Sequence, residues 1–175
     1  MPALLTDEIR KYIGMESELM RACDPVERGA VRRFAQAIMD PDPIYMDSDY
    51  ARETRYETPV APPLFPVTIV RTPFGSPDRI SERGNDLAFD GVLESTSLGL
   101  PRLPLGNNAQ LTGSCEFEMF RLARHGEDVW VVSRYLDIYE RETSKGLMLF
   151  IVMETDFKDS EGQLICRFRK TQMRR

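Results

Sequence analysis

Four stretches rich in Val, Ile, Phe, Tyr and Trp follow one another in the last third of the chain. They are Ser114 to Arg121, Val129 to Arg141, Leu147 to Phe157 and Gln163 to Met173. β-branched and aromatic side chains suit a pleated, half-buried surface, so each stretch is predicted as a strand. The links between them are short and built from turn residues: Arg124-His125-Gly126-Glu127-Asp128, Glu142-Thr143-Ser144-Lys145-Gly146 and Asp159-Ser160-Glu161-Gly162. Links of this length join antiparallel neighbours, because a parallel pair needs a crossover of roughly a dozen residues or more. The chain therefore ends in an antiparallel meander. In the second strand Val129, Val131 and Tyr135 share one side, while Trp130, Val132, Leu136 and Ile138 share the other. A strand apolar on both sides is covered on both faces or meets another subunit, which predicts self-association.

The first half reads differently. Thr6 is placed to cap a helix from Asp7 to Ile13, with Gly14 after its end. Ser17 to Ala22 is a short extended segment. Val31, Phe34, Ala35 and Ile38 recur at the spacing of one helical face, with Arg28, Arg32, Arg33 and Gln36 opposite. Asp40-Pro41 is expected to stop that helix, because the residue before a proline avoids helical geometry. Ser48 is expected to cap a second short helix from Asp49 to Arg55. Leu64 to Val70 is apolar and reads equally as helix or strand, although Pro62 and Pro63 suit a first helical turn. Residues 72–108 read mainly as long loops, with partial order over Phe89 to Leu98. Helices first and a long sheet last define an α+β chain, not the alternation of a doubly wound sheet.

Composition narrows the function classes. The 175 residues are 42% hydrophobic and 29% charged, which fits one folded domain over 1–175 and excludes a disordered chain. The net charge of −5 argues against nucleic acid, which needs a basic footprint. A basic cluster does close the chain, in Arg167, Arg169, Lys170, Arg174 and Arg175. It reads either as a solvated strand edge or as a local site for an acidic ligand such as a nucleotide phosphate. Cys23, Cys115 and Cys166 are too few and too scattered for a disulfide framework or a metal site. Cys115 and Cys166 lie in strands and are expected to be buried thiols. No apolar run reaches the ~20 residues needed to span a bilayer. Met1-Pro2-Ala3-Leu4-Leu5 runs straight into acidic residues, unlike a signal peptide, so a cytoplasmic protein is expected.

The chemistry concentrates between Arg32 and Pro63. A helix ends, a stiff turn with proline on both sides of Asp42 follows, and a second helix begins near Asp47. Such a turn holds a carboxylate or ring in a fixed place. The run Asp40-Pro41-Asp42-Pro43-Ile44-Tyr45-Met46-Asp47-Ser48-Asp49-Tyr50-Ala51 resembles the hydratase motif of the MaoC-like dehydratases. The likeness continues through Thr54-Arg55-Tyr56, Val60-Ala61-Pro62-Pro63, Leu100-Pro101, Gly106-Asn107 and Phe117-Glu118-Met119-Phe120-Arg121. It extends over Gly126-Glu127-Asp128 to the final Asp156 to Arg169, so it covers nearly the whole chain, in the manner of that family's N-terminal-type domain.

The resemblance implies a hot-dog fold, a long antiparallel sheet wrapped around a central helix. It also implies hydration of 2-enoyl thioesters or dehydration of 3-hydroxyacyl thioesters, with coenzyme A as carrier and no metal or other cofactor. In that motif an aspartate and a histidine act on one water, and an N–H at the start of the central helix polarises the carbonyl. Here Asp40 takes the aspartate position and Tyr45 the histidine position. A phenol, with a reference pKa of about 10, is a poor base near pH 7. The chain's only histidine, His125, falls in a predicted turn and is expected to be exposed. Arg55 and Tyr56 are expected to anchor the loop or reach a ligand, and Ala61-Pro62-Pro63 to set the carbonyl-binding N–H.

Three functions remain open at this point. One is an accessory subunit of a heteromeric hydratase, beside a motif-bearing partner; the chain is expected as a homodimer or as a heterodimer with a second hot-dog subunit. The second is a self-sufficient hydratase using Asp40 with Tyr45. The third is an acyl-thioester binding module without chemistry.

Overall fold

The computed structural model describes residues 3–70, 75, 84–87, 99–105 and 110–174. The expected partial order over Phe89 to Leu98, and the Gly106-Asn107 part of the resemblance, lie outside them.

Among the described residues, five strands form one antiparallel sheet: β1 (Met20–Arg21), β2 (Gln110–Met119), β3 (Trp130–Thr143), β4 (Gly146–Lys158) and β5 (Leu164–Arg174). Their spatial order is β1-β3-β4-β5-β2. The predicted four-strand meander therefore holds only for β3-β4-β5, and the hairpin expected across Arg124 to Asp128 does not pair β2 with β3. The strand before it does not follow the meander's own order but crosses to the far edge, where it pairs with β5 from Gln110↔Arg174 to Met119↔Cys166.

One bulge decides which residues reach the core. Leu136 is an extra residue between the pairs Tyr135↔Met153 and Asp137↔Val152. An extra residue reverses the alternation beyond it. Ile138 consequently joins Val131 and Tyr135 on the inner face and is buried, although simple alternation placed it opposite them.

Two clusters fill the inner face. The first joins Val31 and Ala35 of α2 (Arg28–Ala37), Tyr45, Val60, Ala61 and Phe65 to Val131, Phe157, Ile165 and Cys166 of the sheet. The second joins Leu5 and Ile9 of α1 (Asp7–Arg10), with Leu100 and Leu103, to Tyr135, Ile138, Leu149, Ile151 and Met153. A hydroxyl pair, Ser133 with Thr155 at 2.9 Å, is buried between them. The stretch after Pro63, open to either helix or strand, forms a short helix, α4 (Phe65–Thr68), which stands at the centre of the first cluster through Phe65.

Several local expectations are corrected. Thr6 caps α1 as expected, but that helix ends at Arg10 rather than Ile13. α2 stops at Ala37, before Asp40-Pro41 is reached. The stop is a left-handed Met39 at φ 57°, with Asp40 N–H bonded to Ala35 C=O at 3.0 Å and Met39 N–H to Gln36 C=O at 3.2 Å. That double closure is a Schellman arrangement. It turns Ile38 outward, 48% exposed, off the buried stripe. The cap of α3 (Ser48–Arg52) is Asp47 and not Ser48, because its carboxylate accepts from both Asp49 N–H and Tyr50 N–H. Cys166 is buried as expected, but Cys115 is exposed, since it stands on the edge strand β2.

Candidate functional site

The site residues sit on a short stiff run between α2 and α3. The Schellman closure delivers Asp40 to the end of α2. Its Oδ1 accepts the Asp42 N–H at 3.2 Å, and Asp42 in turn caps a single 3-10 turn, Pro43–Tyr45, by accepting the Ile44 N–H at 3.0 Å. Proline at the first position of that turn has no N–H to leave unsatisfied. The turn points Tyr45 inward, where its ring is buried and its hydroxyl donates to Asp40 Oδ2 at 2.9 Å.

Asp40 and Tyr45, the two residues predicted for chemistry, are therefore brought together, and they are spent largely on each other. Burial, and then the bond to Asp40, pushes the Tyr45 phenol well above its ordinary value. The proton stays on the ring oxygen at physiological pH, and each carboxylate oxygen of Asp40 already accepts one hydrogen bond.

The other predicted residues divide. Ala61 and Pro62 are buried beside Tyr45, and Pro63 is exposed. The run 59–61 is tied to the site turn by Val60 N–H to Ile44 C=O at 3.3 Å. The Ala61 N–H does not wait for a ligand, because it donates to Ala123 C=O at 2.8 Å. Two prolines follow without N–H groups, so the first N–H beyond them belongs to the exposed Leu64. Tyr56 is half-buried against the cluster that holds Tyr45. Arg55 lies over the Tyr56 ring at 4.8 Å and donates to its hydroxyl at 2.6 Å. Arg55 is thus exposed and committed to Tyr56.

His125 is the residue that sequence reasoning misplaced. It is half-buried, and its Nε2 is enclosed with no hydrogen-bond partner among the described residues. The β2–β3 turn folds down onto the run 59–61, with His125 N–H bonded to Pro59 C=O at 3.0 Å. The ring is thereby brought near the backbone of Val60 and Tyr45, with Arg28 close by. Burial, and then the Arg28 charge, lowers its pKa, which keeps the ring neutral at pH 7. Nothing in the local sequence signals this contact. It arises only when residues 59 and 125 become neighbours in the fold. Among the described residues no His, Cys, Asp and Glu cluster could hold a metal ion, and no helix is long and apolar enough to cross a membrane.

A five-stranded antiparallel sheet packed on short helices, with an Asp–Pro–Asp–Pro turn between two of them, defines the class as a MaoC-like hot-dog domain. Residues 11–168 match the family model described as "FAS1-like, dehydratase domain region", and the chain belongs to that family. A "UPF0336 protein" of Saccharopolyspora erythraea is 25% identical over 162 residues, covering 93% of this chain and 88% of its own. Another, of Thermobifida fusca, is 42% identical over 60 residues, 34% of this chain and 39% of that protein. The "Probable enoyl-CoA hydratase alpha subunit" of Thermomonospora curvata is 27% identical over 154 residues, 87% of this chain and 46% of that protein. The aligned part thus spans less than half of the last two relatives.

Among solved structures, the ChsH1-ChsH2 complex from Mycobacterium tuberculosis superposes with a TM-score of 0.69 at 19% identity, covering 95% of this chain and 86% of that one. A C-terminally truncated HadBC (3R-hydroxyacyl-ACP dehydratase) complex from the same organism gives 0.60 at 18%, covering 93% of this chain and 96% of that one. The MaoC-like dehydratase from Rhodospirillum rubrum gives 0.58 at 18%, covering 93% of both chains. At these identities the likeness establishes the fold.

Proposed function

We propose that this chain is the accessory subunit of a hydro-lyase that interconverts 2-enoyl and 3-hydroxyacyl thioesters, supporting a hot-dog partner that carries a complete acid–base pair. The observation that carries the reading is the closed Asp40–Tyr45 pair. Hydration needs one group to take a proton from water and another to protonate the carbon beside the carbonyl. Tyr45 holds its proton tightly and directs it at Asp40, so it serves neither task well. The family membership supports the reaction class. Partner dependence is supported by the ChsH1-ChsH2 and HadBC structures, each a complex of two named components. The edge of β2 is where a second sheet would add, because no strand among the described residues lies beyond it.

In this reading coenzyme A is the substrate's carrier and no other cofactor takes part. Arg55, Tyr56, Ala61, Pro62 and Pro63 shape the wall of the pocket and do not act on the substrate. The enzyme works in the cytoplasm, on neither nucleic acid nor membrane. The test is hydration of crotonyl-CoA, followed by loss of the enoyl absorbance. The pure chain is expected to stay at background, and a mixture with a motif-bearing hot-dog subunit to turn over. Turnover by the pure chain that disappears in Asp40→Asn would sink the accessory reading in favour of a self-sufficient enzyme. Tight acyl-CoA binding with no turnover in any mixture would favour a binding module instead.

A further inference from the structure

Among the described residues the helices pack on one face of the sheet, and the outer face carries an ordered pattern of its own. Strand register places Arg134, Glu154, Arg169 and Glu116 side by side across β3, β4, β5 and β2. The next row reads Val132, Asp156, Arg167 and Glu118. On the other side of the first row and two rows away, beyond the Leu136 bulge, stand Tyr139, Phe150, Met173 and Leu111. The first row is linked throughout: Arg134 to Glu154, Glu154 to Arg169 at 2.6 Å, and Arg169 to Glu116 at 2.9 Å. Arg167 bonds Asp156 at 2.6 Å and approaches Glu154 at 3.5 Å. Glu154 is only 2% exposed. In the apolar row Leu111 is 54% exposed and Tyr139 38%, and Tyr139 stacks on Phe150 with ring centroids 5.0 Å apart.

We propose that this outer face is a self-association surface, on which a second copy of the chain docks with a two-fold axis parallel to the strands and running between β4 and β5. Charge complementarity selects that axis. A rotation about it lays each row on its own reverse. Arg134 then faces the second copy's Glu116, and Glu154 faces its Arg169. In the next row Asp156 faces Arg167, and Val132 lies against the stem of Glu118. The apolar row falls on itself, with Phe150 over Met173 and Leu111 over Tyr139. One axis thus sets opposite charges together throughout the first row and at the centre of the second, and lays apolar groups on apolar groups in the third. An axis across the strands instead sets Arg134 on Arg134 and Glu154 on Glu154, and like charges repel. The cost of covering this face is reduced, because Glu154, Asp156 and Glu116 are already paired and Glu154 has already left water. Paired sheets with an apolar row between them are an ordinary way to bury a second sheet face.

The same axis sets Val152 opposite the second copy's Thr171, since those two residues are themselves paired across β4 and β5. Val152→Lys brings a cation against Thr171, and Thr171→Glu brings an anion against Val152. Sedimentation velocity of the full chain up to about 100 μM is the measurement, a range that covers micromolar dissociation constants. Wild type is expected to show a concentration-dependent doubling. Each single variant is expected to weaken it roughly tenfold or more, Thr171→Glu by burying an unpaired charge and Val152→Lys by setting a long cationic side chain, beside Asp137 of its own copy, into the packed face. The double variant Val152→Lys/Thr171→Glu is expected to restore it, because each introduced ammonium then meets a carboxylate both beside it in its own copy and across the axis. Both positions are half-buried on central strands, so circular dichroism and thermal melts check that the variants fold. No doubling in wild type, single variants that associate normally, or a double variant that stays apart while folded would each overturn the proposal. Association through the β2 edge alone gives the second of these results, because neither position lies on that edge. The outcome is independent of the accessory-subunit reading.

Discussion

The site turn and the outer face of the sheet both gather acidic side chains, and they hold them by opposite means. In the turn, the carboxylate bonds join residues two to five positions apart: Asp40 to Asp42, Asp42 to Ile44, and Tyr45 to Asp40. On the sheet, the bonds join residues 11 to 53 positions apart, from Arg167 with Asp156 to Arg169 with Glu116. The turn is a local scaffold whose shape is set by its own prolines and carboxylates, so it keeps that shape whether or not chemistry takes place there. The outer rows exist only when four strands are in register. A local scaffold can outlive its function, whereas a long-range ladder reports on the whole fold.

Breaking the ladder is expected to cost most. Glu154 lies among Arg134, Arg167 and Arg169, and these guanidiniums outweigh burial to hold its pKa below the usual carboxylate range. Glu154→Gln leaves them without their shared anion. The expected loss is about 3 kcal/mol, the low end for a broken buried pair because the arginines keep contact with water. A denaturant melt with an unchanged slope checks it. Stability equal to wild type would mean that the ladder is decorative.

In the turn the corresponding change is smaller. Tyr45→Phe removes the hydroxyl from Asp40 Oδ2 and keeps the buried ring. The expected cost is about 1 kcal/mol, the usual net worth of one hydrogen bond. Activity of a mixture with a motif-bearing partner is expected to change by less than about twofold. A fall of roughly 100-fold, the size expected on losing a general acid, would return Tyr45 to catalysis.

Just upstream, Met39 holds the left-handed position of the α2 stop and is 87% exposed. Met39→Gly relieves that backbone without losing packing, and a gain of about 0.5–1 kcal/mol is expected in the same melt. A loss instead would show that the Met39 side chain has a partner.

These contrasts also explain what was legible in the sequence. The β3-β4-β5 part of the meander was readable because each of its strands and turns declares itself in a few residues, as in Asp159-Ser160-Glu161-Gly162, whereas the pairing of β2 with β5 was not. The Asp40–Tyr45 turn was readable for the same reason, because its prolines and carboxylates lie within six consecutive residues. Ile138 was not, because one bulged residue, Leu136, moved it to the other face. Ile38 was not, because a left-handed methionine ended α2 early. The lateral rows of the outer face were invisible, since register between β2 and β5 is fixed by contacts between distant segments.

His125 belongs to that second group, and it offers the finest test of the comparison. It is the place where a long-range contact reaches the local turn, through Pro59 C=O and the backbone near Val60 and Tyr45. Its pKa in the folded protein is lowered from the ordinary 6.5, first by burial and then by Arg28. The folded state therefore binds fewer protons here than the unfolded state does. By linkage, the ring's contribution is fully present above about pH 6.5 and is lost as the pH falls through the lower folded value. Glu154 and Asp159, whose pKa values are also lowered, add their own loss on the acid side of the ordinary carboxylate range. The difference between wild type and His125→Asn isolates the histidine, because the carboxylates are common to both. Measured from about pH 7.5 down to about 5, that difference is expected to move against wild type, and this is the smallest of the four effects. A constant difference across the window would mean that the ring titrates as a solvated group. In that case the β2–β3 turn would not be seated on the site turn, and the two regions would be independent after all.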